Sequence, residues 1–462
     1  MKKSIMTLAL ATTLLSGCAG MMHQKDANTF DGALHAGDYQ AASQFALTES
    51  GYDEKTKDID DLLWGIEAGA ALNYAGRYAL STQVLDAAEN AMKDEDQEGV
   101  VENATEAALS ILGNDAMMAY EQRQSDGVML NTIKAWNFMF EGDFNNARVE
   151  WNRAEDRQRR AAEFFAEQIR KQQEEMAKEQ KKADKKTTEF VNKTIENDET
   201  RKLLQDNGVT FDKWKPYDAF VNPYTTYSYG LNLLLNGKTA SDFNKAADAF
   251  KRVYGLTDAS QVKADLQLAQ EMAKGATTLN HMVWVIFENG ESAVKEEFRV
   301  DLPLFLLSDN VSYAGIALPR LKQRNSAYPH VEANGVQTEV VADMDKIIGA
   351  EFEKEYPMIL TREITRTLVK TIAQKQLKDQ SSALGLASGL FQLATTNADT
   401  RTFSALPKQF QTAHFKYEGE SLTVKAGAHE LPVTLDSAAQ KHIVYIKATS
   451  AAVVPTVRVI NI

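Results

Sequence analysis

Cysteine is nearly absent from this sequence, since Cys18 is the only one in 462 residues. A single cysteine excludes an intramolecular disulfide, so the chain must be held together by its hydrophobic cores. Proline is also scarce, with nine residues, and the seven histidines show neither zinc-ligand spacing nor an HExxH helix. Apolar runs are short, and none approaches the roughly 20 residues that a membrane-spanning helix needs. The length predicts about two or three domains.

The first eighteen residues have the three parts of an export signal. Lys2 and Lys3 form a positive head, the apolar run IMTLALATTLL follows, and small residues lead to Cys18. The stretch LSGC resembles the lipobox of bacterial lipoproteins, in which the leader is cut before the cysteine, here after Gly17, and the cysteine is acylated. The resemblance implies several acyl chains, which anchor a protein far better than one. The alternative is an ordinary cleaved leader that leaves a free thiol in an oxidising compartment.

The net charge of the remaining chain excludes some classes of binding partner. Removing residues 1–17 takes away Lys2 and Lys3, so the formal charge changes from −13 to −15. An acidic protein is a poor ligand for nucleic acid or for anionic headgroups. Ala19, rather than aspartate, follows the cysteine, and by the same resemblance this favours the outer membrane. We therefore expect attachment to the membrane through the N-terminal lipid, with other envelope proteins or lipoproteins as partners and no nucleic acid.

Four stretches of the first half share a glycine, an aromatic residue soon after it and a small residue beyond. They are GDYQAAS, GRYALST, GDFNNAR and, with a four-residue insertion, GKTASDFNKAA. Glycine tolerates the positive φ of a helix C-cap, and small residues let the two helices of a hairpin approach closely. The spacing resembles the tetratricopeptide repeat, and unrelated helical hairpins are the alternative. The candidate packing positions are Gly69, Gly76, Tyr78, Ser81, Ala135, Gly142, Phe144, Ala147, Gly230 and Gly237.

Composition changes twice along the chain. From residue 146 to 204 there is no Gly or Pro, and RKQQEEMAKEQKKADKK is nearly all charged or amide, which predicts a solvent-exposed helix or a protruding arm. After Gly275, short runs such as HMVWVIFENG and KHIVYIKA predict strands, and VEANGVQTEVV contains an Asn-Gly hairpin signal. A helix from Met344 to Leu377, broken at Pro357, separates two sets of strands that we expect to join in one sheet or sandwich.

These patterns predict an α+β fold with tetratricopeptide-like helical repeats, a long charged helix and a C-terminal β-rich domain with inserted helices. The expected segments are a lipoprotein signal peptide (1–17), helical hairpins (18–145), a charged helix or arm (146–205), a further hairpin (206–275) and an α+β, β-sandwich-like domain (276–462).

Motifs for catalysis and cofactors are missing from the sequence. Gly237-Lys238-Thr239 resembles the end of a phosphate-binding loop, but Asn232 stands where its first glycine belongs. The acidic stretch from Asp94 lacks the glutamate that closes a calcium loop. The sequence therefore predicts no enzyme, no cofactor and no metal site.

One group of charges has two interpretations. Arg362, Arg366 and Lys370 recur every four residues and form a basic stripe on one helix face, and Asp399 and Arg401 follow in the loop ADTRTFSALP. Salt bridges within the domain would explain these residues, and so would a docking surface for an acidic partner.

Several motifs together resemble a family of Gram-negative outer-membrane lipoproteins with a tetratricopeptide-like N-terminal half. They are the lipobox, Tyr120-Glu121 followed by VMLNTIKAWNFMFEGDFNNARVEWNR, then NPYTTYSYGL, VWVIFENGESAVKEEF and ADTRTFSALP. The resemblance implies an envelope location and, because some members are encoded near penicillin-binding-protein activator lipoproteins, a link to cell-wall assembly. Our leading hypothesis is a non-catalytic scaffold whose repeats present a concave surface to protein partners. The alternative is a carrier that holds a cell-wall or lipid component in its C-terminal domain.

Overall fold

The structure, a computed structural model, describes residues 23–97, 120–182, 185–209, 222–305, 311–380 and 397–462. The predicted cleavage and lipidation site at Gly17 and Cys18 lies outside the described residues. The fold is α+β, as predicted, with helices in the first half and sheets in the second. None of the helices in the described ranges combines the length and the apolarity needed to cross a bilayer.

Helices fill the described part of the chain up to residue 273. Their bounds are α1 (within residues 23–35), α2 (Tyr39–Ser50), α3 (Leu62–Tyr74), α4 (Tyr78–Gln97), α5 (Gln124–Phe140), α6 (Phe144–Lys182), α7 (Lys185–Glu196), α8 (Asp198–Asp206), α9 (Pro223–Asn236), α10 (Ala240–Thr257) and α11 (Ser260–Ala273). Four pairs form hairpins at the predicted glycines: α1 with α2, α3 with α4, α5 with α6, and α9 with α10.

The turns of three hairpins use glycine as expected. Gly37, Gly76 and Gly142 have φ of 74°, 75° and 77°, in the left-handed region that favours glycine. Gly237 differs, because its φ is −64° and its ψ 145°. The four-residue insertion lengthens this turn, and Thr239 starts the next helix with a capping box. The positive φ expected at Gly237 is therefore wrong, although a Cβ there would lie 2.2 Å from the Leu233 carbonyl oxygen.

The predicted small residues lie where paired helices touch. A Cβ on Gly69 would come within 2.2 Å of Leu85 Cδ2, and the Ser81 hydroxyl donates to the Gly69 carbonyl at 2.6 Å. Ala135 and Ala147 are fully buried. The remaining positions follow the same pattern: Tyr78 stacks on Phe140, Phe144 packs against the core, and Gly230 faces Phe250. The assignment to the tetratricopeptide family stays a prediction.

The charged region does not form one helix over 146–205. A break at Asn197 separates α7 from α8. Asn197 is the N-cap of α8, and its side chain accepts a hydrogen bond from the Glu199 amide at 2.8 Å. Asparagine at the N-cap, followed by Asp198 and Glu199 in the first turn, starts a new helix more readily than it continues an old one.

Strands and one long helix make up the second half. Their bounds are β1 (Met282–Asn289), β2 (Val294–Phe305), β3 (Val311–Lys322), β4 (Glu332–Ala333), β5 (Val336–Gln337), β6 (Glu339–Asp343), α12 (Met344–Gln380), β7 (Gln409–Lys416), β8 (Ser421–Ala426), β9 (His429–Thr434), β10 (Lys441–Ala448) and β11 (Thr456–Asn461). The central sheet has the order β11-β10-β1-β7-β6, with β1 and β10 parallel and the other pairs antiparallel. It joins strands from both sets, as predicted.

Two smaller β units accompany the central sheet. Among the residues that the structure describes, strands β2 and β3 pair only with each other, and a second sheet has the order β5-β4-β8-β9. The predicted Asn-Gly turn is confirmed between β4 and β5, where Asn334 and Gly335 both have positive φ, 51° and 75°.

The break predicted at Pro357 is wrong, because α12 continues through it. A proline removes one backbone hydrogen bond, and tertiary packing can offset that loss. Here Phe352 and Ile364, on either side of the proline, are both buried. The Thr361 hydroxyl also donates to the Pro357 carbonyl at 2.7 Å.

The central sheet lies between the second sheet and the helices. Its side chains alternate, so that Val283 and Val285 face the second sheet, whereas Trp284 and Ile286 face the helices. Every residue of α3 is buried, as are most residues of α5 and α9. The Tyr224 ring of α9 stacks on Phe410 of β7 with centroids 3.5 Å apart. The inner face of the hairpins, which we expected to receive a partner, is therefore covered by the chain's own sheet.

Candidate functional site

The segment 397–408 contains the loop ADTRTFSALP and leads into β7 without forming a helix or strand of its own. Phe403 and Leu406 are each 2 % exposed and belong to the core beneath the central sheet. A buried segment without regular structure must find other partners for its backbone polar groups. Those partners come from several distant parts of the chain.

Glu67 of α3 is the first of these partners. Its two carboxylate oxygens accept the amides of Ser404 and Ala405, at 2.5 Å and 3.0 Å. Burial, assisted by the nearby charge of Asp31, raises the pKa of Glu67 to about 8, although the two accepted hydrogen bonds oppose the shift. Glu67 is 2 % exposed and is the one charged residue in α3. An isolated acid in an apolar helix was a signal that the sequence analysis overlooked.

Arg324, which follows β3, holds the same segment from another side. Its guanidinium donates to the Ser404 carbonyl, and lies 3.5 Å from the Asp31 carboxylate and 3.6 Å from that of Glu291. The Ser404 hydroxyl donates to Asp31 at 2.6 Å. Helix α1, β3 and the segment are thus connected by charge-assisted hydrogen bonds, which are stronger than neutral ones.

The N-terminus of α5 provides a third connection. The buried Arg123 guanidinium donates to the Thr402 hydroxyl at 3.3 Å and lies 3.9 Å from the Glu355 carboxylate of α12. Two residues further on, Ser125 donates from both its amide and its hydroxyl to Glu351, at 3.0 Å and 2.6 Å. Burial raises the pKa of Glu351 to about 7. These contacts join α5, α12 and the segment.

The predicted docking residues form local pairs. Arg401 donates to both carboxylate oxygens of Asp399, at 3.0 Å and 2.9 Å. Burial alone would raise the pKa of Asp399, but the hydrogen bond from Arg401 and the charge of Lys295 hold it well below the usual range. Arg366 is 4 % exposed and pairs with Glu363 of its own helix at 2.6 Å.

The other two members of the basic stripe also lie on α12. Arg362 is half-buried, and the backbone of Lys370 belongs to the helix while its side chain lies outside the described residues. The local pairing of Arg366 favours the interpretation of salt bridges within the domain at that position. Arg366 and the Asp399–Arg401 pair therefore form two separate ion pairs.

A cavity of about 130 Å³ adjoins the segment. It lies between α1, α3, the base of the β2–β3 hairpin and residues 400–404, and its lining includes His23, Trp64, Lys295, Thr400 and Thr402. Burial, followed by the repulsion of Arg123, lowers the pKa of Lys295 to about 8. Burial and the Arg401 charge also lower the pKa of His23. The sequence analysis missed Lys295, because no local motif surrounds it.

Within the described ranges, no group of histidine, cysteine, aspartate and glutamate side chains has the geometry of a metal site. Comparisons with protein families, curated proteins and solved structures give no match to this chain. Function must therefore be inferred from the residues themselves.

Proposed function

We propose that the protein is a lipid-anchored, periplasm-facing scaffold of the Gram-negative cell envelope, linked to cell-wall assembly and without catalytic activity. The membrane attachment rests on the resemblance of LSGC to a lipobox. Cys18 and His23, the first described residue, are five positions apart. Five residues span at most about 18 Å, so such a tether would keep the folded body next to the bilayer.

The surface that we propose for partner binding is the outer side of the helices. The inner side of the hairpins is covered by the central sheet, so the concave groove of the original hypothesis is filled. Helix α6 has 39 residues, whereas α5, with which it pairs, has 17. The additional 22 residues correspond to about 33 Å of helix at 1.5 Å per residue. This extra length of α6 is the observation that carries the proposal.

The exposed charges of α6 are suited to contact with a protein. Arg159 is 69 % exposed, and Arg170 and Glu174 are 55 % and 57 % exposed and form an i,i+4 pair. Pairs of this kind stabilise a helix that has few tertiary contacts. An exposed charged helix can also set the specificity and the rate of association through complementary charge.

The alternative function, a carrier for a cell-wall or lipid component, gains little from the cavity beside residues 397–408. Pockets that enclose organic ligands usually measure about 300–1,000 Å³ and are mostly apolar. This cavity has about 130 Å³ and a largely polar lining. It is too small for an acyl chain or for a fragment of peptidoglycan.

Crosslinking in living cells, followed by mass spectrometry, tests the scaffold. Wild type should crosslink to defined envelope proteins, and the double charge reversal Arg159→Glu and Arg170→Glu should reduce those crosslinks about tenfold. The matched control, Lys425→Glu on the exposed face of β8, should leave them unchanged. Equal crosslinking by all three proteins would show that α6 is not the partner surface.

The tether requires a separate test. Cys18→Ser should move the protein out of the membrane fraction, and intact mass measurement of the wild-type protein should show acyl chains on Cys18. An unmodified thiol, or a membrane fraction unchanged by the substitution, would contradict lipid anchoring.

A further inference from the structure

The acidic groups around the cavity already have hydrogen-bond donors. Asp31 accepts from Ser404, and Glu67 accepts from two backbone amides. Glu296 accepts from Arg320 at 2.8 Å and lies 3.7 Å from the Lys322 ammonium. The three carboxylates that line the cavity are therefore engaged with the protein itself, and none of them needs a cationic ligand.

The lysines that line the cavity are not all paired with carboxylates in this way. Of the two lysines that line the cavity, Lys322 is paired with Glu296, whereas Lys295 has no hydrogen bond and no ion pair within 4 Å among the described residues, and the charges of Asp399 and Glu355 act on it only at longer range. The Lys295 ammonium instead lies 5.9 Å from the centre of the Phe352 ring. Thr400 also lines the cavity, and its hydroxyl has no partner in the described part of the chain. The groups left over are thus donors, and they belong to residues that line the cavity.

Size and charge narrow the class of ligand. A cavity of about 150 Å³ holds benzene, so about 130 Å³ accommodates roughly four to six non-hydrogen atoms. One unpaired lysine balances one negative charge. A dianion would carry a second charge into a site that is bordered by the carboxylates of Asp31 and Glu296, and like charges at short range repel.

We propose that this cavity binds a small monocarboxylate, whose oxygens accept hydrogen bonds from the Lys295 ammonium and the Thr400 hydroxyl. Burial keeps the pKa of Lys295 at about 8, so the ammonium form predominates at neutral pH. A bound anion would stabilise that form further. The proposal is independent of the scaffold function, since the cavity and α6 are different surfaces.

Binding of acetate to the full chain, purified from membranes in detergent, tests the proposal. Acetate at constant ionic strength should raise the melting temperature in a saturable way, and phosphate dianion should do so more weakly. Lys295→Met should weaken acetate binding at least about tenfold. Lys322→Met, at the same cavity but with an exposed and paired side chain, should change it less than about twofold. Acetate indistinguishable from chloride, or equal binding by Lys295→Met and wild type, would overturn the proposal.

A second measurement covers the case in which Lys295→Met fails to fold. Trinitrobenzenesulfonate reacts with deprotonated amines, so Lys295 in the wild-type chain should be labelled early as pH rises towards 8, and peptide mass spectrometry can locate the label. Acetate should slow labelling at Lys295 and leave labelling at exposed lysines such as Lys425 unchanged. Labelling of Lys295 that acetate does not affect would refute the site.

Discussion

Replacing Glu67 tests whether α3 holds the segment 397–408 in place. Glu67→Ala leaves the amides of Ser404 and Ala405 without acceptors. A buried donor without a partner costs about 1–3 kcal/mol, so two of them cost about 2–6 kcal/mol. The adjoining cavity allows water to replace part of the lost bonding, so we expect the lower half of that range, about 2–4 kcal/mol. Since about 1.4 kcal/mol corresponds to a factor of ten, the segment should open roughly 30 to 700 times more often.

The raised pKa of Glu67 also predicts the direction in which its contribution to stability changes with pH. The pKa of Glu67 is raised to about 8 in the folded protein, from an ordinary value of 4.5. Between these two values the folded state binds more protons than the unfolded state, so the contribution of Glu67 to stability is largest below pH 4.5 and is lost as pH rises through about 8. Glu67→Gln removes the titrating group. The difference in stability between wild type and Glu67→Gln should therefore be largest near pH 5 and smallest near pH 9.

Hydrogen exchange followed by mass spectrometry measures the opening locally. Peptides covering residues 402–407 should exchange faster in Glu67→Ala, while peptides from β8 and β9 should keep their wild-type protection. Glu54→Ala, at an exposed turn, is the control and should leave both regions unchanged. Exchange of 402–407 within about twofold of wild type would refute the role given to Glu67, and an equal loss of protection throughout the chain would refute its local action.

Two further pairs of substitutions, each a test and its control, probe the helical half by calorimetry and urea unfolding. Gly69→Ala places a methyl group 2.2 Å from a buried side chain of α4 and should cost about 1–3 kcal/mol. In the control Gly32→Ala, in α1, the added methyl group has no atom within 4 Å, so the substitution should raise the free energy of unfolding by about 0.5–1 kcal/mol. A Gly32→Ala protein less stable than Gly69→Ala would contradict the packing described for α3 and α4. Lys134→Met removes the most buried cation beside two buried carboxylates, Glu89 at 2.8 Å and Glu150 at 3.2 Å, where Arg157 and Arg153 remain as partners, and should cost about 2–3 kcal/mol, less than the roughly 3–5 kcal/mol of a buried charge left without any partner. The control Lys93→Met, 51 % exposed, should cost less than about 1 kcal/mol; equal costs would refute the buried network.

The features that sequence reasoning predicted have local physical causes. Strands β1 and β10 are short runs of β-branched and aromatic residues, and Asn334-Gly335 adopts the positive φ angles that its composition favours. The turn glycines Gly76 and Gly142 are fixed in the same way by backbone sterics. Where a residue's conformation depends on its immediate neighbours, the sequence was sufficient.

The features that it missed depend on contacts between distant residues. Pro357 is tolerated because packing on both sides holds α12 together, and no local pattern reports such packing. Glu67 and Ser404 are 337 positions apart, so only the folded chain reveals their hydrogen bond. The loop that contains Asp399 and Arg401 was selected from the sequence for its charges, but its main partners, Glu67, Arg324 and Arg123, follow from topology alone.

The parallel pairing of β1 with β10 has a consequence for biogenesis. Residues 282–289 lie in the middle of the central sheet, and one of their two neighbours is the strand formed by residues 441–448. A chain that is synthesised from its N-terminus emerges with α3, α5 and α9 already available to fold, while the sheet that shields their apolar faces is still incomplete. The apolar faces of these helices stay exposed to solvent until residues 441–448 are available to complete the sheet. Chaperones should therefore protect this protein late in its synthesis, and chains that terminate before residue 441 should aggregate.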